Sequence, residues 1–111
     1  MNALSRMTVL LLLATSAASA SADGFLSDRH AAKGVACSSC HPDGASKNVP
    51  QKNCLSCHGN SYPALAEQTD KGDMNYHDTH LGEIACSDCH RGHSASVLAC
   101  NQCHQFKVKV P

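Results

Sequence analysis

Tryptophan is absent, and two phenylalanines and two tyrosines are the only aromatics. A chain of 111 residues this poor in aromatic mass does not build a sizeable core from its own side chains. Neither sign of charge is in excess, with 9 basic and 9 acidic side chains; that excludes the basic footprint of a nucleic-acid binder, and no nucleic acid is expected as a partner. No apolar run is long enough to span a bilayer. Strand patterning is also missing: only Phe106 to Val110 alternates, and five residues at a chain end carry little weight.

The first 22 residues read as a secretory leader. Met1 to Arg6 is short and basic, Met7 to Ala14 is apolar, and Ala18 to Ala22 is a tract of small residues. Cleavage after Ala22 satisfies the small-x-small rule through Ala20, Ser21 and Ala22, with cleavage after Ala20 as the second reading. The domain expected after processing is 23–111, exported to the periplasm and with no stable membrane anchor. Losing Arg6 with the leader leaves that domain with one acidic charge in excess.

Eight cysteines are present, and none lies outside a CxxCH unit. The four units are Cys37, Cys40 and His41; Cys54, Cys57 and His58; Cys86, Cys89 and His90; and Cys100, Cys103 and His104. A disulfide framework explains an even cysteine count in an exported chain but not the histidine after every pair. Two four-sulfur zinc sites would leave all four of those histidines idle. A thioredoxin-like motif needs a βαβ context that this chain lacks. CxxCH is the attachment signature of haem c: two thiols about one helical turn apart add across the vinyl groups of one porphyrin, and the adjoining imidazole reaches its iron. Four covalently bound haems are therefore expected. They also resolve the missing core, because four large flat apolar bodies must pack on one another and staple the chain in place of disulfides. Two propionates on each haem make the expected holoprotein acidic.

Four of the eight histidines stand outside the motifs: His30, His77, His80 and His93. Four irons with one motif histidine each have four open axial positions, so the counts match and imply bis-histidine ligation throughout. If the segment after Cys86 is helical, His90 and His93 lie on one face about a turn apart and cannot reach opposite faces of one porphyrin. His93 then serves a different iron from His90, and His77 and His80 likewise cap two separate haems. Met74, the one methionine after the leader, is a rival ligand that reads more simply as a filler or surface residue.

Along the chain, Ser27 is expected to cap a short helix running through His30 and ending near Gly34. Pro42 to Gln51 reads as a loop, Pro63 opens a helical stretch PALAEQ, and Gly72 and Asp73 break it. The motifs start at residues 37, 54, 86 and 100, two short intervals flanking a long one. That predicts two haem pairs joined by the segment that holds His77 and His80. Lys107 and Lys109 form a small basic tip, read as a solvated tail.

With these motifs in view, the chain resembles the small tetrahaem cytochromes c of bacterial periplasms. It is still more similar to the N-terminal haem domain of periplasmic flavocytochrome c fumarate reductases. The likeness is sharpest in CLSCHG, in the HxxH of His77 and His80, and in CSDCHRGH followed by CNQCHQF. The resemblance implies a fold of short α-helices and irregular coil wrapped around four closely packed haems, with little or no β structure. It also implies axial pairs of His41 with His77, His58 with His80, His90 with His30, and His104 with His93. The fused reductases continue into a flavin domain that holds the substrate site, whereas this sequence ends at Pro111.

Irons saturated by two imidazoles neither bind substrate nor activate oxygen, which leaves one-electron transfer and makes the chain a carrier rather than an enzyme. The resemblance implies a cytochrome subunit that feeds a separate flavoprotein reductase acting on fumarate or a similar unsaturated acid, with a membrane quinol-oxidising cytochrome as donor. A free shuttle to other periplasmic or outer-membrane redox proteins in anaerobic respiration is the alternative. A multihaem enzyme needs one iron with an open position, which eight histidines for four irons argue against.

Overall fold

A computed structural model describes residues 24–45 and 48–111; the leader expected over residues 1–22 lies outside them. Five short helices follow one another: α1 Leu26–Ala32, α2 Cys37–Cys40, α3 Gln51–Leu55, α4 Tyr62–Thr69 and α5 Cys86–Cys89. A 3₁₀ turn, Ala99–Gln102, carries the last motif. The rest is turn and coil, and no strand occurs among the described residues, so Phe106 to Val110 runs on as coil.

Three of these helices consist of little more than a CxxC step or the turn leading into it. In all four motifs the same bond closes the turn: the histidine N–H donates to the carbonyl of the first cysteine, in His41 to Cys37 (2.9 Å), His58 to Cys54 (3.0 Å), His90 to Cys86 (2.8 Å) and His104 to Cys100 (2.9 Å). The thiols of each pair therefore sit one turn apart and the imidazole leaves just after it.

Helix α1 starts two residues earlier than its sequence suggests. Its N-cap is Phe25, not Ser27, because the Asp28 carboxylate reaches back to accept the Phe25 N–H at 2.9 Å. The Ser27 N–H is instead spent on the Gly92 carbonyl, at 2.9 Å, which docks α1 against the loop after the third motif. Helix α4 begins at Tyr62 with Ser61 as its cap, the hydroxyl accepting the Ala64 N–H at 3.3 Å, and Pro63 stands in the first turn. The chain enters α4 through Gly59 and Asn60, both with positive φ (84° and 66°). A Cβ at Gly59 would come within 2.9 Å of the Leu65 backbone nitrogen, so only glycine lets α4 fold this closely onto the end of α3. The described part of the expected loop, 42–45 and 48–50, is turn and coil, and Gln51 already belongs to α3. The break after α4 falls at Asp70, and Gly72 follows with a φ of 125°.

Helix α3 lies beside both α2 and α5. Side-chain amides join the three: Asn53 Nδ2 donates to the Cys40 carbonyl at 3.2 Å, while Gln51 donates to the Glu83 carboxylate at 2.7 Å and accepts the Cys86 N–H at 3.2 Å. The third motif is thus held against the second across the long interval between them.

Among the described residues one side chain is buried, Tyr62, at 7 % exposure. Phe25, Met74, Leu81, Val97 and Val108 are exposed. Side chains alone give this fold no core, which is the physical counterpart of the aromatic poverty of the sequence. No helix among the described residues is long and apolar enough to cross a membrane.

Candidate haem-binding centres

The eight cysteines form no disulfide, and among the described residues no group of three or more His, Cys, Asp or Glu is arranged to hold a metal ion. Burial pushes the Cys86 thiol up to about 11, with the adjacent Cys54 thiol adding to the shift, so this sulfur is a neutral thiol rather than a thiolate at ordinary pH.

All eight histidines are drawn into four pairs, each made of one motif histidine and one other. The ring centroids are 6.1 Å apart in His30 with His58 and in His41 with His93, and 6.2 Å apart in His77 with His90 and in His80 with His104. A metal-to-imidazole bond of about 2 Å plus roughly 1.1 Å from nitrogen to ring centre, taken twice, gives about 6.2 Å. The four spacings fit a single iron between each pair of rings.

These are not the pairs implied by family resemblance. His41 faces His93 rather than His77, His58 faces His30 rather than His80, His90 faces His77 rather than His30, and His104 faces His80 rather than His93. Two ties that motif spacing does not reveal accompany this pairing, one between backbone groups and one through the side chains of Asn75 and Thr69. The bond from Ser27 to Gly92 carries α1 and the loop with His93 together to the first two motifs. The turn holding His77 and His80 is pinned under the end of α4, which directs both rings to the last two motifs.

His90 and His93 do face different partners, although not for the reason given by a helical segment. Helix α5 stops at Cys89, His90 is its C-cap with extended backbone (φ −90°, ψ 96°), and the residues to His93 are bend and coil. The opposed directions come from this break.

Ring orientation is set by second partners at Nδ1. His30 Nδ1 lies 2.8 Å from the Leu26 carbonyl, which only accepts, so Nδ1 carries the proton and Nε2 is left with its lone pair. His90 Nδ1 stands in the same relation to the Pro111 carbonyl at 3.3 Å. His77 Nδ1 is 3.0 Å from the Thr69 hydroxyl. That hydroxyl also lies 2.9 Å from the Leu65 carbonyl, so it donates there and accepts from His77. Asn75 completes the arrangement, donating to the Ala66 carbonyl at 2.7 Å and accepting the His77 N–H at 3.0 Å. Burial lowers the His77 pKa, and the facing His90 lowers it further, so the neutral ligand form is favoured. An open cavity of about 410 Å³ beside this ring has the acidic residues Glu67, Asp70, Asp78 and Glu83 in its lining.

The last motif is fixed differently. Phe106 stacks on His104 at 4.9 Å and 23°, and is itself held by reciprocal bonds with Asn101, 2.8 Å from its N–H and 3.0 Å to its carbonyl. The sequence signals every cysteine and histidine but not Thr69, Asn75, Gln51, Asn53 or Phe106. Phe106, two residues after a motif histidine, carried a readable cue; the others are polar residues whose role depends on the tertiary fold.

The sequence profile of the family described as Cytochrome c3 matches residues 29–105, a span that contains all eight histidines. The chain belongs to the cytochrome c3 family. It is accordingly a carrier of electrons on covalently bound haem c. As a cytochrome c3 relative it is 42 % identical over 77 residues to a probable fumarate reductase, Ifc3, of Shewanella frigidimarina, covering 66 % of this chain but 13 % of that protein. It is 43 % identical over 60 residues to the cytochrome c-type protein Cgr1 of Eggerthella lenta, covering 52 % of this chain and 27 % of that one. With the acrylate reductase cytochrome subunit of Shewanella woodyi it shares 36 % identity over 80 residues, 67 % of either chain. This chain thus spans a minor part of the first two relatives and two thirds of the third.

Proposed function

We propose that this cytochrome is a periplasmic tetrahaem carrier whose four irons are each closed by two imidazoles, and that it delivers electrons to a separate flavoprotein reductase. The observation that carries the reading is the set of four ring pairs at 6.1 to 6.2 Å, each joining a motif histidine to one from elsewhere in the chain. When bound, haem iron supplies reversible one-electron exchange. The chain's residues do the rest. Cys37, Cys40, Cys54, Cys57, Cys86, Cys89, Cys100 and Cys103 would hold the porphyrins by thioethers. His41 with His93, His58 with His30, His90 with His77 and His104 with His80 would each hold one iron between them, which would leave none open to a substrate or oxygen.

Export with removal of residues 1–22 places the carrier in the periplasm. The relative named as an acrylate reductase cytochrome subunit and the one named as a probable fumarate reductase support a partner that reduces a small unsaturated acid. A quinol-oxidising membrane cytochrome is the donor expected for such a chain.

The test is to mix the reduced holoprotein with a candidate flavoprotein reductase and then with fumarate or acrylate, following haem reoxidation by absorbance. Rapid reoxidation that needs both the flavoprotein and the acid is expected. Reoxidation by no flavoprotein, alongside fast exchange with other periplasmic cytochromes, refutes the subunit reading in favour of a free shuttle.

A further inference from the structure

The four ring pairs match in spacing but not in orientation. The planes of His77 and His90 are 7° apart and those of His41 and His93 are 21° apart, whereas His30 and His58 cross at 78° and His80 and His104 at 64°. In the near-parallel extreme both rings are held at Nδ1, His77 by Thr69 and His90 by the Pro111 carbonyl. Both rings of this pair are half-buried, while both rings of the His80 and His104 pair are exposed.

We infer that this chain holds two classes of axial pair, near-parallel and crossed, and that Thr69 is the positioning residue that fixes the His77 plane in the near-parallel class. The inference rests on the bis-histidine reading proposed above. Each imidazole donates π-electron density perpendicular to its own plane. Parallel rings load the same iron d orbital and split it from its neighbour, whereas crossed rings load both and leave them nearly degenerate. Orientation therefore decides the magnetic anisotropy of the ferric iron, and it shifts the balance between ferric and ferrous states.

Thr69 can set that orientation because its own freedom is spent. Its one proton faces three acceptors, the Leu65 carbonyl at 2.9 Å, the Ala66 carbonyl at 3.2 Å and Asn75 Oδ1 at 3.3 Å, and a lone pair meets the His77 Nδ1–H at 3.0 Å. Asn75 holds the backbone of the same turn, so the point from which the ring projects is fixed as well as its Nδ1. A hydrogen bond accepted from Nδ1–H also raises the basicity of the ligating nitrogen, which favours ferric iron.

Electron paramagnetic resonance of the fully oxidised holoprotein is the test, with Thr69→Val and Thr69→Ser beside the wild type. Two classes of low-spin signal are expected in the wild type, rhombic from the near-parallel pairs and highly anisotropic from the crossed ones. In Thr69→Val one rhombic signal is expected to move toward the anisotropic class, with one midpoint potential rising and the other three unchanged; Thr69→Ser keeps the wild-type pattern. A single low-spin class in the wild type overturns the inference, and so does a valine variant with unchanged signals and potentials. Should the valine variant fail to take up haem, proton exchange in the reduced wild type decides: the His77 Nδ1 proton is expected to exchange slowly, and exchange as fast as at the exposed His80 ring removes Thr69 from the role. A high-spin signal or fewer than four irons per chain refutes the bis-histidine reading itself, an outcome distinct from any of these.

Discussion

His77 and His80 leave one short turn three residues apart, yet the centres they reach differ in almost every respect. His77 and its partner His90 are half-buried, near-parallel and bonded at Nδ1, beside a cavity with four acidic residues in its lining. His80 and His104 are exposed and crossed, and the local order around them comes from Phe106 stacking on His104. The difference teaches that equal motifs do not make equal centres. The CxxCH unit supplies the same closed turn four times, and the environment is written by what packs around the second histidine.

The largest effect expected from this contrast follows removal of thiols. Helix α5 is tied to α3 through Gln51, so Cys86→Ala combined with Cys89→Ala is expected to cost more than one haem and much of the yield. Cys100→Ala combined with Cys103→Ala is expected to lose one haem and retain three, because the last motif is held locally by Asn101 and Phe106. Intact mass of the exported proteins reads both; equal losses would erase the asymmetry.

Next in size is Gly59→Ala. The new Cβ meets the Leu65 nitrogen at 2.9 Å in a left-handed backbone, so α4 must move and the Thr69 anchor moves with it. A loss of about 1–3 kcal/mol is expected in denaturant titrations, with spectral changes at the His77 centre and none at the His80 centre.

Phe106→Ala probes the other side. Losing the stack on His104 is expected to cost about 1 kcal/mol and to perturb that centre alone, which nuclear magnetic resonance of the haem methyl groups resolves. A change at His77 instead would show that the two centres are one mechanical unit.

The smallest effect is a pH dependence at Tyr62, the buried ring edge-on to His77. Burial raises its hydroxyl above the ordinary 10.0, partly offset by the Ile84 backbone N–H. The folded protein therefore holds this proton more tightly than the unfolded chain. That contribution is complete below pH 10.0 and is lost as pH rises through the folded value. Melting temperature against pH should fall less steeply above that point in Tyr62→Phe; an identical slope removes Tyr62 from the account.

The sequence made legible whatever is written into single residues or short spacings. The four motifs, the equality of motif and non-motif histidines, the lack of a side-chain core and the helix at PALAEQ all stand in the structure. The pairing of rings was not legible, because it is decided by bonds between residues far apart in sequence, such as Ser27 to Gly92 and Gln51 to Cys86. The cap of α1 falls at Phe25 rather than Ser27 through one local and one distant bond: Asp28 accepts the Phe25 N–H, and the Gly92 carbonyl takes the Ser27 N–H. Thr69 was silent because a threonine ending a helix is ordinary until the histidine that bonds it is known to return there.

Mössbauer spectroscopy of isotope-enriched oxidised protein, with iron quantified against polypeptide, tests the central claim most directly. Four irons per chain, all low-spin ferric, is the result expected if each of the four histidine pairs closes on one haem. Fewer than four irons, or a high-spin component, would contradict it.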